Sequence, residues 1–271
     1  MSALPPRLRA ILESAVRSVT DVKQREVIRS LAYALADSTW RHWQAWRPPE
    51  DNRPEHEWIV FANILKIAER EELTLAEKRI ATAFAFTHDT CFIPRITEAM
   101  IREADEESKP RLEAAKGQQR ISHMAGGAAN ARFVLAELRD SVRAGDAFLT
   151  REEIDRCVDI VAGHDLWKLG KPHPRGTDRL AVVCLEGDAL WPLHPIGVLA
   201  DLERPDENGK TKDACDPAEW RKQLSESLKT LLEYRVNWNL HSDEKFIDNE
   251  SIFRTKEGHR LFQEWRKYWN L

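Results

Sequence analysis

The chain has 271 residues, 42% of them hydrophobic, enough to bury a substantial core in one domain spanning 1–271. Its 41 basic residues nearly cancel its 45 acidic ones, so a formal charge of −4 gives no global attraction for nucleic acid, and a nucleic-acid partner is not expected. The opening MSALPPRLRAILESAV has no apolar signal core and no stretch reaches the ~18 apolar residues of a membrane span, so a soluble, cytoplasmic chain without a membrane partner is expected.

Leu8, Ile11, Leu12 and Val16, then Val27, Ile28, Leu31 and Leu35, recur at helical spacing and predict one or two helices over residues 6–38. Trp40, Trp43 and Trp46 continue such a face, with core packing as the default use. Arg47-Pro48-Pro49-Glu50-Asp51-Asn52-Arg53-Pro54 breaks the chain, and His56 then opens a helix carrying Val60, Ile64 and Ile67. Taken alone, His56 reads as a hydrogen-bonded core or capping histidine.

Thr74 and Glu77 have the spacing of a capping box, so a helix starts there and runs through ATAFAF to end on His88-Asp89. Thr150 and Glu153 repeat the box, and the helix through Ile154, Cys157, Val158 and Val161 leads to His164-Asp165 with the same offset from threonine to histidine. Between them lies an acidic helix, ITEAMIREADEESK, expected to stop at Pro110, and a second helix over Gln118–Leu138. On that helix His123, Gly127, Asn130 and Val134 share a stripe, and Gly126-Gly127-Ala128-Ala129 lets a neighbour approach closely; mid-helix glycines cost about 1 kcal/mol each, which implies a compensating contact.

After His164-Asp165, LWKLGKPHPRGTD forms a basic loop with Lys168, Lys171, His173 and Arg175. The helix from about Arg179 carries Leu180, Val183, Cys184 and Asp188 on one face, turning a carboxylate inward, where it requires a metal or another cation. Residues 192–218 read mostly as loop, and amphipathic helices near 217–236 and 256–270 close the chain. No strand pattern is present. Cys91, Cys157, Cys184 and Cys215 are widely spaced without a CxxC pair and read as reduced, mostly buried thiols.

The order His56, His88-Asp89, His123, His164, Asp188 resembles the HD-domain superfamily of metal-dependent phosphohydrolases, and more narrowly its six-ligand, two-metal branch with the pattern H…HD…H…H…D, over about residues 54–200. The resemblance implies an all-α, HD-domain-like helical bundle, with N-terminal helices over 6–46 and C-terminal helices over 217–270 packed on it. It implies two divalent transition metal ions bridged by Asp89, with His56, His88 and Asp188 completing one site and His123 and His164 the other. Imidazole and carboxylate ligands suit iron, manganese, cobalt, nickel or zinc without choosing among them. The implied activity is hydrolysis of a phosphate ester of a nucleotide or other small molecule by metal-activated water. In this scheme Asp89, Asp165 and Lys168 are the catalytic candidates, Asp165 orienting a ligand histidine or acting as a base. Lys168, Lys171, Arg175 and His194 are expected to meet the phosphorylated substrate. A homo-oligomer is compatible with it.

The sequence departs from the family in one place: the lysine of HDxxK is Phe92 after the first pair and Lys168 after the second. A one-metal phosphatase using His123, His164, Asp165 and Asp188 therefore stays open. So does a di-iron oxygenase of the same ligand pattern acting on a small polyol or phosphonate, and so does a non-catalytic helical module. The absence of a GYP motif argues against cyclic dinucleotides.

Overall fold

The apolar repeats become helices. A computed structural model describes residues 4–46, 55–91, 96, 98–141, 148–203, 211–233 and 251–271, apart from the side chains of 42–46, 98, 99 and 141. Within these residues there are eleven α-helices and no strand: α1 Pro6–Val16, α2 Val22–Trp46, α3 Glu55–Arg70, α4 Leu75–Thr87, α5 Glu98–Glu103, α6 Lys109–Ser141, α7 Arg151–Val161, α8 Arg179–Ala189, α9 Pro195–Leu202, α10 Pro217–Glu233 and α11 Lys256–Tyr268. The breaker at 47–54, Phe92 and the side chains of Trp43 and Trp46 lie outside the described residues, while Trp40 packs against the core. Among the described residues no helix is long and apolar enough to cross a membrane.

Helix α3 is central because its apolar spacing buries Val60, Phe61, Ile64 and Ile67 against α1, α4 and α8. Helix α4 is buried nearly all round from Ile80 to Thr87, as a run without a polar face must be, and it touches α2, α3, α6, α7 and α8. Each large aliphatic or phenyl side chain so buried contributes roughly 1.5–3 kcal/mol. One continuous core joins α1–α4 and α6–α8 and takes in Leu231 of α10 and Phe262 of α11, so the terminal helices share the core of the central ones. Cys157 and Cys184 are buried in it, Cys91 is half-buried and Cys215 is exposed.

The C-terminal segment is tied to the helix that carries Asp188. Glu186, two residues before it, accepts hydrogen bonds from the backbone N–H groups of Arg254 (2.5 Å) and Thr255 (2.6 Å) and from the Thr255 hydroxyl (2.5 Å). Buried Arg254 donates onward to the Gly176 carbonyl (2.5 Å), fixing the loop that enters α8.

Two boundaries differ from the sequence reading. Pro110 does not stop a helix: α5 ends at Glu103, and Pro110 lies in the first turn of α6, where a missing N–H breaks no helical bond. Residues 192–218 are not all loop, since they contain α9, which has Pro195 at its first position and the His194 side chain accepting from Ile196 N at 3.2 Å as its cap.

Candidate metal centre

Both capping boxes form. Glu77 N donates to Thr74 Oγ1 (3.3 Å) while Thr74 N donates to Glu77 Oε2 (3.0 Å), and Thr150 and Glu153 do the same at 3.2 and 2.7 Å. The two helices end differently: His88 is itself the C-cap of α4, whereas α7 is capped by Ala162 and His164 lies in the turn beyond. Their imidazoles nevertheless behave alike. His88 Nδ1 lies 3.1 Å from the Ala85 carbonyl and 3.2 Å from that of Phe84, and His164 Nδ1 lies 2.8 Å from the Val161 carbonyl. A carbonyl oxygen can only accept, so each Nδ1 carries a proton and each Nε2 is turned towards the cluster.

His123, on α6, follows the same rule with Nδ1 2.6 Å from the Cys91 carbonyl. One stripe of α6 holds the turn after α4: Asn130 Nδ2 donates to Thr90 O at 3.0 Å, and the glycines between let the backbones meet. A Cβ on Gly127 would stand 2.8 Å from the His88 carbonyl oxygen, and one on Gly126 would stand 2.3 Å from Cys91 Sγ. The glycine pair is therefore explained by the approach of α6 to the first His-Asp pair.

The six residues then assemble as two groups, His56, His88 and Asp188, and Asp89, His123 and His164, each with its ligand atoms within 4.8 Å of one another. In the first, His56 Nε2 is 3.2 Å from His88 Nε2 and 3.1 Å from Asp188 Oδ1, and His88 Nε2 is 3.5 Å from the same oxygen. Ligands at about 2.1 Å from one ion are separated by roughly 3.0–3.4 Å for octahedral to tetrahedral angles, so these spacings match a coordination shell. In the second, His123 Nε2 is 2.8 Å from Asp89 Oδ1, and the His123 and His164 ring centroids are 5.3 Å apart. Asp89 belongs to the second group and neighbours the first, its Oδ2 lying 3.9 Å from Nδ1 of His56, while His56 Nε2 faces His88 and Asp188. His88 and His164 meet edge to face at 5.4 Å, which joins the groups into one cluster. Trp191, which the sequence reading did not assign to the site, stacks on His56 at 5.0 Å.

Electrostatics marks the same place. Burial alone opposes an imidazolium at His88, yet the hydrogen bond and charge of Asp188, with Asp89 and Glu57, raise it to about 9. Burial opposes the carboxylate of Asp89 as well, but His123, His56 and His88 hold it well below its usual range, and Asp188 is held down likewise by His56 and His88. His164, buried with fewer compensating charges, is driven down to about 4. The cluster thus holds ionised carboxylates and a neutral imidazole, and it draws positive charge between His56, His88 and Asp188. These donors fit divalent transition metal ions.

The cluster opens into a cavity of about 400 Å³ lined by His56, Asp89, His123, His164 and Asp188, with Lys116, Arg120 and Lys168. A second chamber of about 390 Å³ shares His56, Lys168 and Asp188 with it and is bounded by Trp167, Trp191 and α10. Among the expected substrate contacts, Lys168 lines both chambers. Lys171 is exposed and lines neither chamber, Arg175 pairs with Asp159, and His194 is spent on capping α9 against Trp265; local hydrogen bonds and charges hold these last two away from the cavity. Asp165 belongs to neither ligand group: its carboxylate accepts from Arg120 Nη1 on one oxygen and forms an ion pair with Lys168 Nζ, at 2.6 Å, through the other. Lys116 and Arg120 are the cavity cations that the sequence reading missed. They sit at helical spacing before His123 and Gly127, a stripe signal available in the sequence.

In comparisons with known proteins, no family model, no curated protein and no solved structure matches the chain.

Proposed function

We propose that the protein is an HD-type, binuclear metal-dependent phosphohydrolase that cleaves a phosphate ester of a small molecule or nucleotide. The observation that carries this reading is the pair of neighbouring His/Asp groups lining a cavity that also holds Lys116, Arg120 and Lys168. His56, His88 and Asp188 would hold one divalent ion and His123, His164 and Asp89 the other. When bound, such ions lower the pKa of water to give a nucleophile at neutral pH and neutralise the phosphoryl oxygens.

The chain's own residues do the rest. The Nδ1–carbonyl bonds of His88, His123 and His164 fix the tautomer and aim Nε2 inward, an arrangement that strengthens an imidazole as a ligand. Lys168, paired with Asp165 at the cavity wall, would set an ammonium beside the phosphoryl oxygens on which charge is carried. The one-metal alternative is less well supported, because Asp165 is engaged by two cations and Asp188 groups with His56 and His88.

The test is hydrolysis of a phosphate-ester panel after chelation and reloading with manganese, cobalt, nickel, iron or zinc. Activity should vanish on chelation and return with metal, and Lys168→Ala should raise KM or lower kcat with metal retained. No ester cleaved under any metal, alongside oxygen consumption by the iron-loaded protein, would overturn the reading in favour of an oxygenase.

A further inference from the structure

Asp165 gathers two cations at the edge of the candidate metal centre. Arg120, on α6, donates to one carboxylate oxygen, and Lys168, on the 3-10 turn after α7, forms an ion pair with the other at 2.6 Å. The carboxylate of Asp165 is thus flanked on both sides by cations that line the same cavity as the two ligand groups. The burial is graded, since the Asp165 side chain is 6% exposed while those of Arg120 and Lys168 are 31% and 29% exposed. The anion therefore forms the floor, and both cations reach the cavity that the ligand groups line. Lys168 is further set against the Trp167 ring, 5.2 Å from its centroid. Arg120 lies one turn before the ligand His123, which puts the guanidinium on the same face of α6 as the metal centre. A guanidinium has five N–H donors in a planar fork that matches phosphoryl oxygens, and the bond to Asp165 takes one of them.

We propose that Arg120 and Lys168, held in place by Asp165, form an oxyanion-binding site beside the metal centre that grips the non-bridging oxygens of the substrate's phosphoryl group. The proposal rests on the phosphohydrolase reading. It makes Asp165 a positioning residue rather than a base, and it makes Arg120 a determinant of affinity for the phosphoryl group.

The test is calorimetric titration of inorganic phosphate into the manganese-loaded full chain, with KM and kcat measured on the best ester of the panel. Arg120→Gln should weaken phosphate binding at least tenfold and raise KM, with metal content unchanged and Arg120→Lys recovering part of the loss. Lys168→Met is the second arm, with the same expected loss, should Arg120→Gln fold poorly. Arg175→Gln, outside the cavity, should bind phosphate like the wild type. Unchanged phosphate affinity in Arg120→Gln and Lys168→Met would overturn the site while leaving ester hydrolysis, where seen, as evidence for the reading it rests on. Phosphate held through Arg120 by a chain that cleaves no ester would keep the site and remove the reaction. A wild type that binds no phosphate would overturn the site.

Discussion

His56 and His88, from two different helices, hold their Nε2 atoms 3.2 Å apart, and a single oxygen of Asp188 lies 3.1 Å from the first and 3.5 Å from the second. Because His88 Nδ1 is committed to backbone carbonyls, its Nε2 can face these neighbours only as a lone pair or with an added proton. Acceptors gathered so closely in a buried place repel one another unless a cation lies among them.

The two ligand groups should therefore be separable by mutation. His56→Ala and His123→Ala should each lose one ion of two, the first from the group with Asp188 and the second from the group with Asp89. Elemental analysis of each variant checks this, and two ions retained in either would remove that histidine from the ligand set.

Glycines in α6 should respond oppositely to alanine. At Gly127 an added Cβ meets the His88 backbone oxygen at 2.8 Å, which cannot swing aside, so Gly127→Ala should cost about 1–3 kcal/mol as an overpacked site. At Gly117 nothing lies within 4 Å, so Gly117→Ala should gain about 1 kcal/mol from helix propensity alone. Urea unfolding of the metal-free variants measures both, and equal effects would refute the close approach of α6 to the His88 turn.

The turn that carries His164 is braced by a second, neutral histidine. His173 Nε2 donates to the Ile160 carbonyl at 3.1 Å and its Nδ1 accepts from Arg175 N at 2.9 Å, so both nitrogens are satisfied only without an added proton. Burial lowers its pKa, Arg175 adds to this, and the bond to Ile160 only partly opposes it. The unfolded chain, with an ordinary histidine pKa of about 6.5, then binds a proton that the folded chain refuses. Stability from His173 is present above that pH and is lost as pH falls below it, towards the lowered folded-state value. Comparing metal-free wild type with His173→Gln between pH 7.5 and 5 isolates the effect: the variant should lose less stability on acidification, and parallel curves would contradict it.

Much of the fold and of the candidate site was legible in the sequence because helix periodicity and capping boxes are local signals. Thr74 with Glu77 and Thr150 with Glu153 fixed where α4 and α7 begin, and hence where His88 and His164 arrive. What was misread depended on environment. Pro110 reads as a stop but is harmless in a first turn, and His194 between prolines resembles a pocket residue until Ile196 N claims it as a cap. Arg175 and Lys171 were inseparable from Lys168 by composition, since only the 3-10 turn at Leu166–Leu169 decides which charge meets Asp165. Arg120 shares the His123 stripe, but an arginine on a helix reads as solvated until its carboxylate partner, 45 residues away, is known.

Six side chains, from helices α3, α6 and α8 and from the turns that follow α4 and α7, are proposed to hold two divalent ions. Metal content per chain of freshly purified wild-type protein and of Asp89→Ala tests it most directly. Two ions per wild-type chain, falling to one or none when Asp89 is removed, is the expected result. A wild-type chain that carries no transition metal and takes up none on dialysis against manganese, iron, cobalt, nickel or zinc would contradict it.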